Sequence, residues 1–288
     1  MLTPSLSRPL VMAVFVADAY SLGLHWIYDH DLLDREPLDP NQLHAPLSHW
    51  HANKQAGDLT HYGDQAWHLY QYLQQHQHFD VSAYRNSWAH FMRHYTGYID
   101  KASAMTLQNM SQGIEPAGSR STELSVTGRI VCLLPFVDNK TAFLQQAQAL
   151  AAMTHNASST LATTDYLARV LLDCLGGIPA EEALERELQH LPGRLQKLVR
   201  MGRDSASDDT RDALRHFGIA CDLQHGLPGV AHLLCRHQSI PEMLRQNALA
   251  GGDSSARAMI TAAIMITQAD PPELPEHWLP TCLTTMDD

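Results

Sequence analysis

"NALAGGDSSARAMITAAIM", residues 247–265, decides how the chain is read. An apolar, Ala-rich run with no alternation is preceded by Gly251, Gly252, Asp253, Ser254 and Ser255. A helix start needs one capping oxygen, from Ser, Thr, Asp or Asn. This one has three, on a backbone that two glycines let turn sharply. The spacing predicts a buried helix over 253–268 whose first turn is either a generous cap or the edge of a site.

The same grammar covers the rest of the chain. "FDVSAYRNSWAHFMRHYTG" (79–97) has Asp80 as its cap, Val81, Tyr84, Trp88, Phe91 and Tyr95 on one face, and Gly97 as its stop. "TLATTDYLARVLLDCLGG" (160–177) ends in two glycines, and "IPAEEALERELQHL" (178–191) starts with Pro179 and acids in its first turn. Similar patterns predict helices near 8–24, 64–76, 102–111, 125–136, 141–153, 194–202, 209–217, 226–236 and 240–249. No alternating strand and no tandem repeat stands out. The expectation is one all-α domain of about a dozen helices, with a core over about 8–270 and a Pro-rich wrap after Asp270 ("PPELPEHWLP"). Two long irregular stretches, 28–61 and 112–124, are of the kind that carries function.

Composition narrows the function classes. A formal charge of −11 over 288 residues argues against wrapping nucleic acid. An anionic substrate must then be held locally, by helix N-termini, a few arginines or a metal. The five cysteines are widely spaced with no CxxC pair, which reads as reduced thiols in a cytoplasm. Arg8, "LVMAVFVA" and Ala17-Asp18-Ala19 imitate a signal peptide, but a single basic residue and a run that continues helically favour the cytoplasmic reading. No stretch approaches the roughly 20 apolar residues of a membrane span. The oligomeric state is left open.

A second Gly-Asp helix start lies far upstream. In "THYGDQAWHLYQYL" (60–73), Asp64 follows Gly63, precedes Gln65 and opens a helix with Trp67, Tyr70 and Leu73 on its apolar face. Converging with Asp253, it would make an oxygen-rich pocket suited to a hard cation. Each acid also has the plainer reading of a cap. Asp18, within an apolar helix, must be paired or hydrogen-bonded if buried. His90 and His94 are i,i+4 on one helix, but the glutamate of HExxH is absent, which favours an exposed surface pair. His155 sits in "MTHNASS" just ahead of a helix. No GxSxG, Walker lysine or GxGxxG fingerprint occurs, so hydrolase triads and nucleotide P-loops are poor readings.

Taken in order, these segments resemble the ADP-ribosylglycohydrolase family. "VADAYSLGLHWIYD" is similar to its opening Gly-Asp-Ala-x-Gly helix, with Asp18 and Ala19 matching. "HYGDQ" stands where the family has Tyr-Thr-Asp-Asp-Thr, and "TGRIVCLLP" resembles its Met-Arg-Ile-x-Pro stretch at Arg129 and Ile130. "MTH" matches a Thr-His pair at Thr154 and His155, and "GGDSSAR" stands at the closing Gly-Gly-Asp-x-Asp-Thr. The resemblance spans roughly residues 10–268 and is nearest the divergent branch that includes the J-type jellyfish lens crystallins.

The resemblance implies a compact all-α fold with its site between helix ends, and hydrolysis at the anomeric carbon of an ADP-ribosyl or related ribosyl group carried by a small molecule or a modified protein. Two magnesium ions are implied, held by Thr-Asp-Asp and Asp-x-Asp-Thr. Here Asp64 and Asp253 match, whereas Gly63, Gln65, Ser255 and Ala256 hold other positions. The expectation is therefore at most one Mg2+, on Asp64 and Asp253 with neutral oxygens from Gln65 and Ser255. Asp64 and Asp253 are the implied catalytic acids. Gly251, Gly252, Ser254, Arg129 and His155 are the implied substrate contacts, the glycines approaching the pyrophosphate. Asp29, Asp31 and Glu36 of the 28–61 loop are further candidate acids. The alternative is a catalytically inactive member that binds a nucleotide-sugar or serves a structural role.

Overall fold

Capping residues and apolar runs turn into helices at nearly every predicted position. In the computed structural model, which describes residues 4–268 and 274–284, fifteen α-helices and four 3-10 segments form among the described residues. The N-terminal half holds α1 (Pro4–Ser21), α2 (His30–Asp34), α3 (His61–His76), α4 (Val81–Arg93), α5 (Lys101–Ser111), α6 (Val126–Arg129) and α7 (Lys140–Thr154). The C-terminal half holds α8 (Ser158–Leu175), α9 (Ala180–Arg186), α10 (Gly193–Asp204), α11 (Thr210–Phe217), α12 (Leu223–Arg236), α13 (Ile240–Ala250), α14 (Ser254–Ile266) and α15 (Thr281–Thr284). Extended pairing among the described residues is limited to two isolated bridges, Ser119 with His155 and Glu123 with Asp222.

α14 is the axis of the fold. All 13 of its residues are buried, as a helix that is apolar on every side must be. α1 packs along it, and α12, α13, α6 and α8 close round the remaining faces. α3 lies against both α1 and α6, so the N-termini of α3 and α14 are brought to the C-terminal end of α1. No helix among the described residues is long and apolar enough to cross a membrane.

Several boundaries differ from expectation for identifiable reasons. α3 starts three residues before Asp64, because the Thr60 hydroxyl takes the cap and accepts from Tyr62 N and Gly63 N. The segment 125–136 breaks into the short α6 and a 3-10 stretch, Ile130–Phe136, that contains Pro135. α12 begins at Leu223, capped by Asp222, three residues before the expected start at Gly226. α4 is capped by Asp80 as expected but ends at Arg93, ahead of Gly97. Of the tail, 269–273 lies outside the described residues. Beyond it Trp278 is buried against Tyr20, ring centroids 4.5 Å apart, and donates to the Asn41 carbonyl at 3.2 Å.

Polar links inside the C-terminal helices are made by histidine. His232 is fully buried on α12, with Nδ1 2.8 Å from Ser205 Oγ after α10 and Nε2 3.1 Å from Thr210 Oγ1 at the start of α11. Burial is the main cause that pushes His232 down to about 4. The unfolded chain binds a proton on this ring at about 6.5 and the folded chain does not, so acidification favours unfolding. Stability is expected to fall as pH drops from 6.5 towards 4, measured as the urea midpoint, and His232→Gln should flatten that dependence.

Candidate functional site

The convergence of α1, α3 and α14 is fastened by Asp18. This carboxylate has no exposure, and a charge in such a place must be hydrogen-bonded. It accepts from Thr60 N at 2.7 Å, from Thr60 Oγ1 at 2.6 Å, and from the Ser255 hydroxyl in a close contact. Burial outweighs these bonds and raises Asp18 to about 6. The identity of residue 63 follows from the same contact. A Cβ on Gly63 would lie 2.0 Å from Asp18 Oδ2. Glycine is there to let the carboxylate reach Thr60.

Asp253 occupies the N-cap position of α14 but makes no capping bond; its ψ of 57° turns the side chain away from the helix. Its Oδ1 accepts from Trp26 Nε1 at 3.2 Å and lies 3.7 Å from His25 Nε2. Burial raises it to about 7, opposed by the Arg257 guanidinium and reinforced by the charge of Glu123. The turn that places it is stitched to two loops. Trp26 N donates to Gly252 O and Gly252 N to Ile27 O, both at 2.8 Å, while Asp253 N donates to Ile219 O at 2.9 Å. Arg257, fully buried, donates to the Gly251 carbonyl at 2.7 Å.

Gly251 and Gly252 have φ of 84° and 62°, where only glycine is at ease. Cβ atoms there would meet Ile27 O at 2.6 Å and Ile219 O at 2.0 Å. Those faces are thus covered by the protein's own backbone, the physical reason for the glycine pair that the pyrophosphate expectation did not include. Ser254 is buried, and its carbonyl accepts from Asn247 Nδ2 at 2.8 Å.

Around Asp253 stand mostly rings, with the Glu123 carboxylate near enough for its charge to be felt. Trp26 has φ of 61°, a conformation that costs a bulky residue on the order of 1–3 kcal/mol, and contacts Trp50, His51, His61, Tyr62 and Tyr98. His51 Nε2 and His61 Nδ1 are 3.0 Å apart, and His25 packs against both rings. Burial holds all three imidazoles below the usual histidine range, hence neutral. A cavity of about 290 Å³ opens beside them, lined by Trp50, His51, Lys54, Gly97 and Tyr98 among others.

The remaining expected site residues take separate places. Asp64 is bound by Lys54 and by the Tyr95 hydroxyl, both in close contacts, whereas Asp253 is bound by Trp26. Gln65 is consumed by the core: Oε1 accepts from Trp88 Nε1 at 2.9 Å and Arg129 Nη1 at 3.1 Å, and Nε2 donates to Asp100 at 3.1 Å. Arg129, buried, therefore holds α6 to α3. His155 is buried, its Nδ1 2.9 Å from Thr154 Oγ1 and its Nε2 3.6 Å from Glu123 Oε2. Of the loop acids, Asp29 caps α2 and Asp31 lies in its first turn, while Glu36 pairs with Arg245 at 2.7 Å and Arg211 at 3.4 Å. They anchor the loop and supply no acid to the Asp253 cluster. His90 is exposed on α4, and His94, exposed as well, is its C-cap just beyond the helix.

The residues that open α3 towards Asp253 are thus Thr60, His61 and Tyr62, not Gly63, Asp64 and Gln65. Sequence reading missed His25, Trp26, His51, His61, Tyr62, Tyr98 and Glu123. One signal was present: three histidine–aromatic dipeptides, His25-Trp26, Trp50-His51 and His61-Tyr62, fall in the segments that meet here. Magnesium does not fit this donor set. Of its expected ligands, Asp64 is taken by Lys54 and Tyr95, Gln65 by Trp88 and Arg129, and Ser255 by Asp18. What surrounds Asp253 is imidazole, which magnesium does not favour.

An all-α fold with its site where two buried helix starts meet can now be compared with known proteins. The chain belongs to the ADP-ribosylglycohydrolase family, whose pattern it matches over residues 7–287. Among curated proteins it is 20% identical to Crystallin J1A of Tripedalia cystophora over 295 residues, covering 95% of this chain and 90% of that protein. Among solved structures it superimposes on an "ADP-ribosylglycohydrolase-related protein complex" with a TM-score of 0.73 at 19% identity, covering 95% of this chain and 91% of the other. That likeness concerns the fold.

The Asp18 contact predicts a stability effect. Gly63→Ala puts a methyl into the Asp18 carboxylate and should cost about 1–3 kcal/mol, as overpacking does. Gly193→Ala, at the first residue of α10 with open space around it, should be neutral or stabilise by about 0.5–1 kcal/mol. Urea unfolding of the two variants checks the contrast.

Proposed function

We propose that this chain hydrolyses the glycosidic bond of an ADP-ribosyl or related ribosyl substrate, with Asp253 and Glu123 as its acids and without a two-magnesium centre. The observation that carries the reading is the buried acid at the start of α14: Asp253, raised to about 7, with the Glu123 charge near enough to contribute to that rise. A carboxyl poised near neutrality is suited to protonate a leaving group, and a second carboxylate to activate water or stabilise an oxocarbenium-like centre. Glu123 Oε2 is buried with no hydrogen-bond partner and lies 3.6 Å from His155 Nε2, so it has capacity to accept from a water or a ribose hydroxyl. Trp26, Trp50 and Tyr98 offer flat apolar faces for a sugar or base, and the adjoining cavity is close in size to the smaller ligand pockets.

A second reading is favoured by the loss of the magnesium donor set together with the crystallin relative. In it the pocket binds a nucleotide-sugar without turning it over, or the protein serves a structural role. The two are separated by assaying release of ADP-ribose from ADP-ribosylated small acceptors and peptides alongside calorimetry with ADP-ribose. The hydrolase reading expects turnover in the wild type, unchanged by added Mg2+. It also expects losses of about 10²–10⁴ in kcat for Asp253→Asn and Glu123→Gln with ADP-ribose binding retained. Binding without turnover in the wild type selects the non-catalytic reading, and neither selects the structural one.

A further inference from the structure

We propose that His25, His51 and His61 form a binding site for a divalent transition ion of the zinc class. The three residues come from separate segments: the turn after α1, the 3-10 segment His49–His51, and the first turn of α3. Each brings one candidate ligand nitrogen within 4.8 Å of the other two. One edge is already formed, since His51 Nε2 and His61 Nδ1 lie 3.0 Å apart. Two imidazoles on a tetrahedral ion with bonds of about 2.0–2.1 Å stand about 3.4 Å apart, so closing the site requires movement of the rings and not of the helices.

As a purely structural cluster the three rings are poorly satisfied. They are 0, 3 and 0% exposed, yet His25 Nε2, His51 Nδ1 and His61 Nε2 have no hydrogen-bond partner. The His51–His61 contact can hold only one proton, and nothing else links the two rings by hydrogen bonding. Those are the outer nitrogens of the rings; the nitrogens an ion would take are His51 Nε2, His61 Nδ1 and His25 Nδ1, which now share one proton and one 3.3 Å bond among them. His25 is oriented as a metal-binding ring usually is. Its Nε2 faces the Asp253 carboxylate at 3.7 Å, and its Nδ1 receives only a 3.3 Å bond from Ser255 N, which ligation would replace.

The donor set decides the ion. Three neutral imidazoles without a thiolate suit zinc, and also cobalt, nickel and copper, and do not suit magnesium or calcium. Three protein ligands leave a fourth position for water. His51 lines the 290 Å³ cavity, which gives an ion a way in to rings that are otherwise enclosed. The proposal rests on the rings alone and stands or falls separately from the hydrolase reading.

The test is titration of the chelator-stripped protein with Co2+, read by its visible absorption, with no substrate present. One equivalent giving the intense bands of a tetrahedral nitrogen-rich site, displaced by Zn2+ and untouched by excess Mg2+, is expected. His51→Gln, at the cavity wall, should weaken Co2+ binding by about 100-fold or more, the upper end of what even a supporting group contributes. The surface pair variant H90Q/H94Q should bind like the wild type. Absence of a stoichiometric ion, or His51→Gln binding as tightly as the wild type, overturns the site. Should His51→Gln fail to fold, X-ray absorption of the zinc-loaded wild type decides: imidazole scattering sustains the proposal and an oxygen-only shell overturns it.

Discussion

One buried carboxylate sets the terms for the whole site. Asp18 is in the least hospitable place for a charge, and it is tolerated because Thr60 and Ser255 supply three donors from two other segments. The bonds work in both directions. They compensate Asp18, and they fix the starts of α3 and α14 relative to α1. Removing either partner would leave an unpaired buried charge, which costs more than the pair itself contributes. The ring cluster and Asp253 both sit on the helix starts fastened in this way. Their placement inherits the geometry of that contact.

Seen from Asp18, the glycines of the two helix starts have different reasons from those their neighbours suggest. Gly63 is small so that Asp18 can pass, and Gly251 and Gly252 are small because the Ile27 and Ile219 carbonyls press on them. The turn they make points Asp253 away from its own helix and towards Trp26. α14 gives up a capping bond worth about 1 kcal/mol, and Trp26 holds a strained backbone. Local rules broken at both ends of one hydrogen bond mark a place where the fold serves something other than stability.

The helices were legible in the sequence because their signals are local. Asp80 caps α4 and Pro179 stands immediately before α9, as the spacing alone suggests. The buried core helix at 254–266 was legible from its unbroken apolar composition. Asp18, Asp253 and Ser255 were visible as oxygens where apolar residues or a single cap would do. The ring cluster was not, because His25, His51 and His61 lie far apart in sequence and meet only through the course of the chain between α1 and α3. Nor was the register of α3: Gly63-Asp64 looked like a start, and only the structure has Thr60 take the cap. Gln65 looked like a metal ligand and Arg129 like a substrate contact because the partners that occupy them, Trp88 and Asp100 for Gln65 and Gln65 itself for Arg129, lie on other elements.

The exchange at the start of α3 bears on chemistry. The family's oxygens are answered here by Gly63, Asp64 and Gln65, of which Asp64 and Gln65 are bonded elsewhere, and the polar atoms left unpaired near Asp253 are largely ring nitrogens, together with Glu123 Oε2. Carboxylates clustered without a cation repel one another, whereas neutral imidazoles lie beside Asp253 without adding to the charge it already feels from Glu123. This lets Asp253 sit with its proton held near neutrality, instead of ionised against a cation. The neutral rings thus accompany both an acid suited to proton transfer and a set of imidazole donors beside it. Both depend on neutral nitrogen, and not further charged oxygen, lying next to Asp253 in this buried space.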